Sequence, residues 1–206
     1  MRFILFAEGY TEKFLPQFFK RWLDARLKKP VGFQFVRFRG WGDFVSKVAE
    51  RAPRYLAGAQ AKDVVAVIGL LDLYGPDFVL RTATQLQEER YRLAVKHVGG
   101  LVQHPKFRMH FAVHEVEAWI LSQPRVLPRG VAKMIPKRKP ESINFDEPPS
   151  KLLNRLYRKD LGLGYKKLSY GAQLFRSLDP SVAATKCPHL DALLNDMLSL
   201  AKAAGL

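Results

Sequence analysis

Met1-Arg-Phe-Ile-Leu-Phe-Ala-Glu8-Gly9-Tyr-Thr11-Glu12 opens the chain and decides how the rest is read. Five of the six residues from Arg2 to Ala7 are apolar, an unbroken run closed by Glu8 and Gly9. Such a run predicts a strand buried on both faces, as in a parallel sheet. Glu8 then stands at the carboxyl end of that strand, where open α/β sheets place their ligands. A carboxylate directly after a buried strand is seldom needed for folding, so Glu8 is a candidate functional residue. Glu12 falls in the first turn of the following helix, where the helix dipole alone favours an acid. Two acids beside one strand-to-helix turn repel each other; together they could share a hard cation.

The pattern repeats along the chain. Residues 12–27 place Leu15, Phe18, Phe19, Trp22, Leu23 and Leu27 at helical spacing, and Lys29-Pro30 ends that helix. Residues 33–38 predict a second strand. Asp43 is a candidate N-cap for a helix reaching Leu56, with Pro53 marking a kink or an earlier end. Residues 63–71 are the most apolar run, closed by Asp72 and a Leu73-Tyr74-Gly75-Pro76-Asp77 loop. Tyr74 and Asp77 flank Asp72, and ordinary turn chemistry accounts for them equally well. Residues 82–97 predict a charged amphipathic helix with Leu86, Leu93 and Val95 on its apolar side. Residues 108–113 predict a fourth strand, followed by His114-Glu115-Val116-Glu117.

Strand–helix alternation of this kind predicts an α/β fold with a mostly parallel four-stranded sheet and covering helices. Its topology would deliver Glu8, Asp72 and Glu115 or Glu117 to one edge. On an extended chain Glu115 and Glu117 share a face, whereas on a helix they diverge by about half a turn. Glu117 is the one that faces the site if the strand has already ended. His114 is either a proton shuttle or a hydrogen-bonding support; position 118 is Ala, so the zinc-protease signature is absent.

Past Trp119 the character changes. Residues 124–149 hold six of the chain's 13 prolines and a basic run, which predicts an irregular excursion. Helices follow at 149–159, 166–178 and 188–203. The expected organisation is an α/β unit over 1–122 and a Pro-rich, helical region over 123–206 packed on it. Lys137, Arg138 and Lys139 form one basic cluster. Lys151, Arg155 and Arg158 form a second, on one helix face by their spacing. A solvated face is the default reading of each, and a phosphate-backbone surface the sharper one.

Composition points the same way. Lys and Arg number 34 against 19 acids, giving +15 and a pI near 10.1, which favours a polyanionic partner such as nucleic acid. A generally basic protein, or one docked on an acidic subunit, would carry the same charge. At 48% hydrophobic and 12% aromatic, the chain can build a core and is not disordered. Its one cysteine, Cys187, excludes a disulfide framework and reads as a packed thiol. No apolar run approaches the roughly 18 residues of a membrane span, and Glu8 interrupts the opening run too soon for a signal peptide, so a cytoplasmic protein is expected. A Walker-type loop is absent.

In order, Glu8-Gly-Tyr-Thr-Glu12, Leu71-Asp72-Leu-Tyr74-Gly-Pro, His114-Glu115-Val-Glu117-Ala, Pro140-Glu141-Ser-Ile-Asn144, Pro149-Ser150-Lys151, Gly164-Tyr165-Lys166-Lys167 and Cys187-Pro-His189 resemble the DUF4276 family, a domain of unknown function. Its genes often lie beside an ATPase gene. That family is similar in turn to Toprim nucleases of the overcoming-lysogenization-defect type, which pair with ABC-type ATPases in phage defence. The resemblance implies a Toprim-like, Rossmann-like fold and a divalent-metal phosphodiesterase. It matches the first-strand glutamate to Glu8, the acid of the next helix turn to Glu12, and a later acid to Glu115 or Glu117. The Asp-x-Asp after the third strand has Asp72 as its first member, but Tyr74 stands where the second is expected. That departure removes one expected metal ligand, whose place Asp77 or Glu115 would have to take.

The expectation is therefore a nuclease dependent on Mg²⁺ or Mn²⁺, acting on DNA or RNA as the effector of an ATPase partner. Glu8, Asp72 and Glu117 would be catalytic and would hold metal with Glu12 and Glu115, supported by Gly9, Thr11, Tyr74, Asp77 and His114. The alternatives are a non-catalytic subunit that keeps the same scaffold, and another phosphoryl-transfer enzyme such as a phosphotransferase or primase-like polymerase.

Overall fold

Each continuous apolar run becomes a strand of one sheet in the computed structural model, which describes residues 1–9, 14–73, 87–142 and 147–206. In chain order the elements are β1 (Arg2–Glu8), α1 (Leu15–Asp24), β2 (Gly32–Phe38), α2 (Trp41–Leu56), β3 (Val64–Asp72), α3 (Gln87–Gly99) and β4 (Phe107–Ala112). Short helices follow: α4 (Glu117–Leu121), α5 (Arg129–Lys133), α6 (Pro149–Leu161), α7 (Ala172–Ser177), α8 (Pro180–Lys186) and α9 (Pro188–Ala203). All strand pairs are parallel, in the order β2-β1-β3-β4. The chain winds outward from β1 to β2, then crosses back over β1 to β3 and on to β4. The winding direction reverses between β1 and β3, and at such a switch point open α/β sheets leave a crevice for a ligand.

The sheet is buried on both faces, which explains strands with no polar alternation. On one face Ile4, Phe6, Val67 and Leu71 pack with Phe44 and Val48 of α2 and Ala94 and Val98 of α3. On the other, Phe3, Leu5, Ile68 and Leu70 share a continuous core with α1, α4 and the helices that follow, as far as Ala201. Residues from 123 onward are thus part of that core. The guanidinium of Arg21 on α1 ties the two ends of the chain together. It donates to the carbonyls of Phe175, Arg176 and Leu178 at 2.6–2.8 Å.

Several boundaries differ from the sequence expectation, each for a local reason. Helix α1 stops at Asp24 rather than at residue 27. The Asp24 carboxylate accepts the Val31 N–H at 3.0 Å, and Lys20 donates to both Asp24 and the Val31 carbonyl, so side chains clasp the helix end onto β2. Asp43 is not the N-cap of α2. The helix begins two residues earlier, and Asp43, in its first turn, instead accepts the Arg39 N–H at 3.0 Å. Pro53 neither ends nor interrupts that helix before Leu56.

On α3 the buried residues are Arg90, Ala94 and Val98, and Leu93 is 40% exposed. Of the predicted apolar side, Val95 packs against the core, Leu93 does not, and Leu86 lies outside the described residues. Residues 124–142 are not wholly irregular, since they contain α5 and two 3-10 turns. Helix α8 was not anticipated. Asp179 caps it by accepting the N–H groups of Ser181 and Val182, a Ser/Asp-type start just before Pro180. Residues 167–171 form a π-turn ahead of α7. Among the described residues, no helix is long and apolar enough to cross a membrane.

Candidate functional site

The carboxyl ends of β1 and β3 flank the switch point, and both end in acids. The Glu8 carboxylate accepts main-chain hydrogen bonds from Asp72 and Trp41. Gly9 then turns the chain away at φ 77°, a conformation that suits glycine. Asp72 is 13% exposed, and its Oδ1 accepts the Val116 N–H at 3.1 Å. The third contribution comes from the exit of β4. There His114 adopts φ 59°, a left-handed conformation costing about 1 kcal/mol in a residue with a Cβ. That bend starts α4 three residues later, with Glu117 in its first turn and wholly buried. Trp119 fixes α4 by stacking on Phe18 at 6.0 Å and meeting Phe175 edge-on at 6.3 Å.

Glu8 and Asp72 do not leave the sheet on the same face. A one-residue bulge in β3 puts Val65 and Ala66 in the same core and shifts the pairing with β1 between Arg2 and Ile4. Beyond a one-residue shift every side chain changes face. Glu8 therefore follows Ile4 and Phe6 toward α2, while Asp72 follows Ile68 and Leu70 toward α4. The two meet at the rim, where the Glu8 carboxylate reaches the main-chain N–H of Asp72.

The counter-charge comes from a residue that sequence reasoning left unassigned. Lys167, at the start of the π-turn, places its ammonium 3.2 Å from Glu117 Oε2 and 3.9 Å from Asp72 Oδ2. The only prior signal was its place in the Gly164-Tyr165-Lys166-Lys167 motif. One lysine does not neutralise the rim. Burial raises the pKa of Glu8 against the pull of Lys167 and its two main-chain hydrogen bonds, with Glu115 adding to the rise. Asp72 is pushed well above the ordinary carboxylate range, chiefly by burial and then by Glu117, Glu8 and Glu115. Glu117 is raised by burial and by Glu115. Both Glu117 oxygens and the buried Tyr165 hydroxyl lack aligned hydrogen bonds. Buried polar atoms in that state mark either strain or a site for an ion or polar ligand.

Glu115 has a different occupation. Its oxygens accept the Ser150 N–H at 2.8 Å and the Ser150 hydroxyl at 3.0 Å, so it caps the start of α6. His114 is buried beside Arg90, and burial first and that cation second lower its pKa to about 4; its ring bonds to the Glu141 main chain. That shift leaves the ring uncharged near pH 7. Thr11, Glu12, Tyr74 and Asp77 lie outside the described residues. Lys137, Arg138 and Lys139 are exposed around a separate cavity at the far end of α4 from Glu117. Lys151 and Arg158 are exposed on α6, and Arg155 beside them is held by Glu147 through two hydrogen bonds of 2.6 and 2.8 Å.

Asp72, Glu117 and Glu8 offer the oxygen donors that a hard divalent cation takes, and of the three Glu117 has orphaned oxygens. Among the described residues, no group of three acids, imidazoles or thiols is gathered closely enough to form a ligand cage by itself. The sequence profile of a domain of unknown function, DUF4276, matches residues 7–198. No curated protein and no solved structure matches the chain.

Proposed function

The chain belongs to the DUF4276 family, and from that footing we propose that its acid rim is the active site of a Toprim-like, metal-dependent nuclease. One observation carries the reading: mutually repelling carboxylates, half-buried on β1 and β3 and buried at the start of α4, share the sheet's switch point with Lys167. Folding alone gives no reason to assemble such charges, and their raised pKa values are typical of working sites.

Asp72 and Glu117 would hold a magnesium or manganese ion, with Glu8 beside them; once bound, the ion would screen a phosphodiester and make water a better nucleophile. Burial makes Glu8 more basic than an exposed glutamate, which suits its carboxylate to accept a proton from attacking water. The Lys167 ammonium would orient and neutralise a phosphate oxygen. Lys151 and Arg158 would guide the backbone of DNA or RNA, consistent with the +15 charge. An ATPase partner fits the family resemblance.

The test is cleavage of single- and double-stranded DNA and RNA with Mg²⁺, Mn²⁺ or EDTA. Glu8→Gln and Asp72→Asn should each lower metal-dependent cleavage by on the order of a hundredfold, with circular dichroism unchanged. Full cleavage by both variants would overturn the proposal.

One observation favours a second reading, a non-catalytic subunit on the same scaffold. Lys167 already pairs with Asp72 and Glu117. Such a subunit would show no Mn²⁺ binding by calorimetry and no cleavage by the wild-type chain.

A further inference from the structure

A cavity of about 760 Å³ opens between the end of α4, α5 and the start of α9, away from the acid rim. Its size lies within the range of about 300–1,000 Å³ typical of ligand sites. Leu121, Ala132 and Ile135 give it an aliphatic lining, and four prolines (Pro124, Pro136, Pro140 and Pro188) stiffen its walls. Lys133, Lys137, Arg138, Lys139 and Lys186 surround it, and no carboxylate is among the described lining residues. Glu141, next to Pro140, is committed elsewhere, to the main chain and ring of His189 and to the Leu190 N–H. Lys186 donates to the Ser122 carbonyl at 2.7 Å, which leaves Lys137, Arg138 and Lys139 as an exposed cationic edge.

We propose that this cavity docks an acidic segment of a partner protein, an aliphatic side chain entering against Leu121, Ala132 and Ile135 while flanking carboxylates meet Lys137, Arg138 and Lys139. Two features select this occupant. Among the described lining residues the cations meet no opposing carboxylate, as expected for an anionic partner. Among the described residues the lining contains no aromatic ring, and single-stranded nucleic acid is held by aromatic stacking as well as by cations. An aliphatic cavity instead suits an aliphatic side chain, as when a peptide lays its apolar anchors into a hydrophobic groove.

Fluorescence anisotropy on the full chain tests this. The probe is a fluorescein-labelled peptide with two leucines between glutamates. The controls are the same peptide with serines for leucines, and a labelled single-stranded oligonucleotide. The wild-type chain should bind the leucine peptide at least about tenfold more tightly than the serine peptide. Thr185→Trp, which fills the cavity from an exposed helix position, should weaken that binding by a similar factor. Lys137→Glu combined with Arg138→Glu should do the same, with the melting temperature of each variant confirming folding. Equal binding of the two peptides, binding unchanged by Thr185→Trp, or no peptide binding would overturn the proposal. So would oligonucleotide binding that is lost on charge reversal yet survives Thr185→Trp, since the basic cluster would then be a phosphate surface.

Discussion

Two buried glutamates, Glu117 and Glu141, sit on the same side of the sheet in opposite conditions. Glu141 is 3% exposed and fully employed. Its oxygens accept the N–H groups of His189 and Leu190 in the first turn of α9, and the His189 ring stands 2.9 Å away. Glu117 is equally buried, but it faces Asp72 and shares with it the one ammonium of Lys167, 3.2 Å from its Oε2. A buried charge with its hydrogen bonds made is architecture. One held among like charges is kept against the interest of stability, and the natural reason is work on a ligand. The contrast separates scaffold from site without reference to any relative.

Glu141→Ala should have the largest effect, a loss of about 3 kcal/mol on denaturant unfolding, because it strands two main-chain donors and an imidazole. In a chain of this size that is roughly a 10 °C drop in melting temperature. Glu117→Gln should do the opposite and raise stability by about 1 kcal/mol, since it removes a repelling buried charge. Destabilisation by Glu117→Gln as large as that of Glu141→Ala would erase the distinction. Lys167→Met tests the rim from the cation's side. Because Lys167 is 36% exposed, its loss should cost only about 1 kcal/mol in EDTA. Millimolar Mn²⁺ should then stabilise the variant more than it does the wild type, and indifference to Mn²⁺ would count against metal at this place.

The smallest effect is a pH dependence on the scaffold side. Burial works against protonation of His189, but its hydrogen bond to Glu141 and the charges of Glu141 and Glu88 outweigh that and raise its pKa. The ring's contribution is then present below the ordinary value near 6.5 and lost as pH rises through the raised one. His189→Gln should therefore cost about 1 kcal/mol at about pH 5.5 and less at about pH 9, read as midpoints of denaturant unfolding. A constant cost would mean that His189 acts by shape alone.

Much of this contrast was legible in the residues, and the rest was hidden for physical reasons. Strands buried on both faces announce themselves as unbroken apolar runs, and an acid closing such a run stands out, as Glu8 and Asp72 do. Their opposite faces could not be read, because the bulge at Val65 and Ala66 leaves no mark in a run where every residue is apolar. Lys167 and Glu141 were equally silent. Each gains its role from a partner far along the chain, and a lone lysine or glutamate in a polar segment looks like solvated surface. Glu115 shows the other ambiguity, since a strand-end acid can cap a helix as readily as bind an ion. Glu12 and Asp77 lie outside the described residues.

Lys167 also orders events in time. Ribosomes deliver Glu8 and Asp72 long before the lysine that balances them, and long before α9 covers the same side of the sheet. Domains tend to fold as units during synthesis, so the nascent α/β half would wait with one hydrophobic side bare and its carboxylates unbalanced. Such a half-made chain would call on chaperones. The acid rim would then be complete only after those closing helices had emerged.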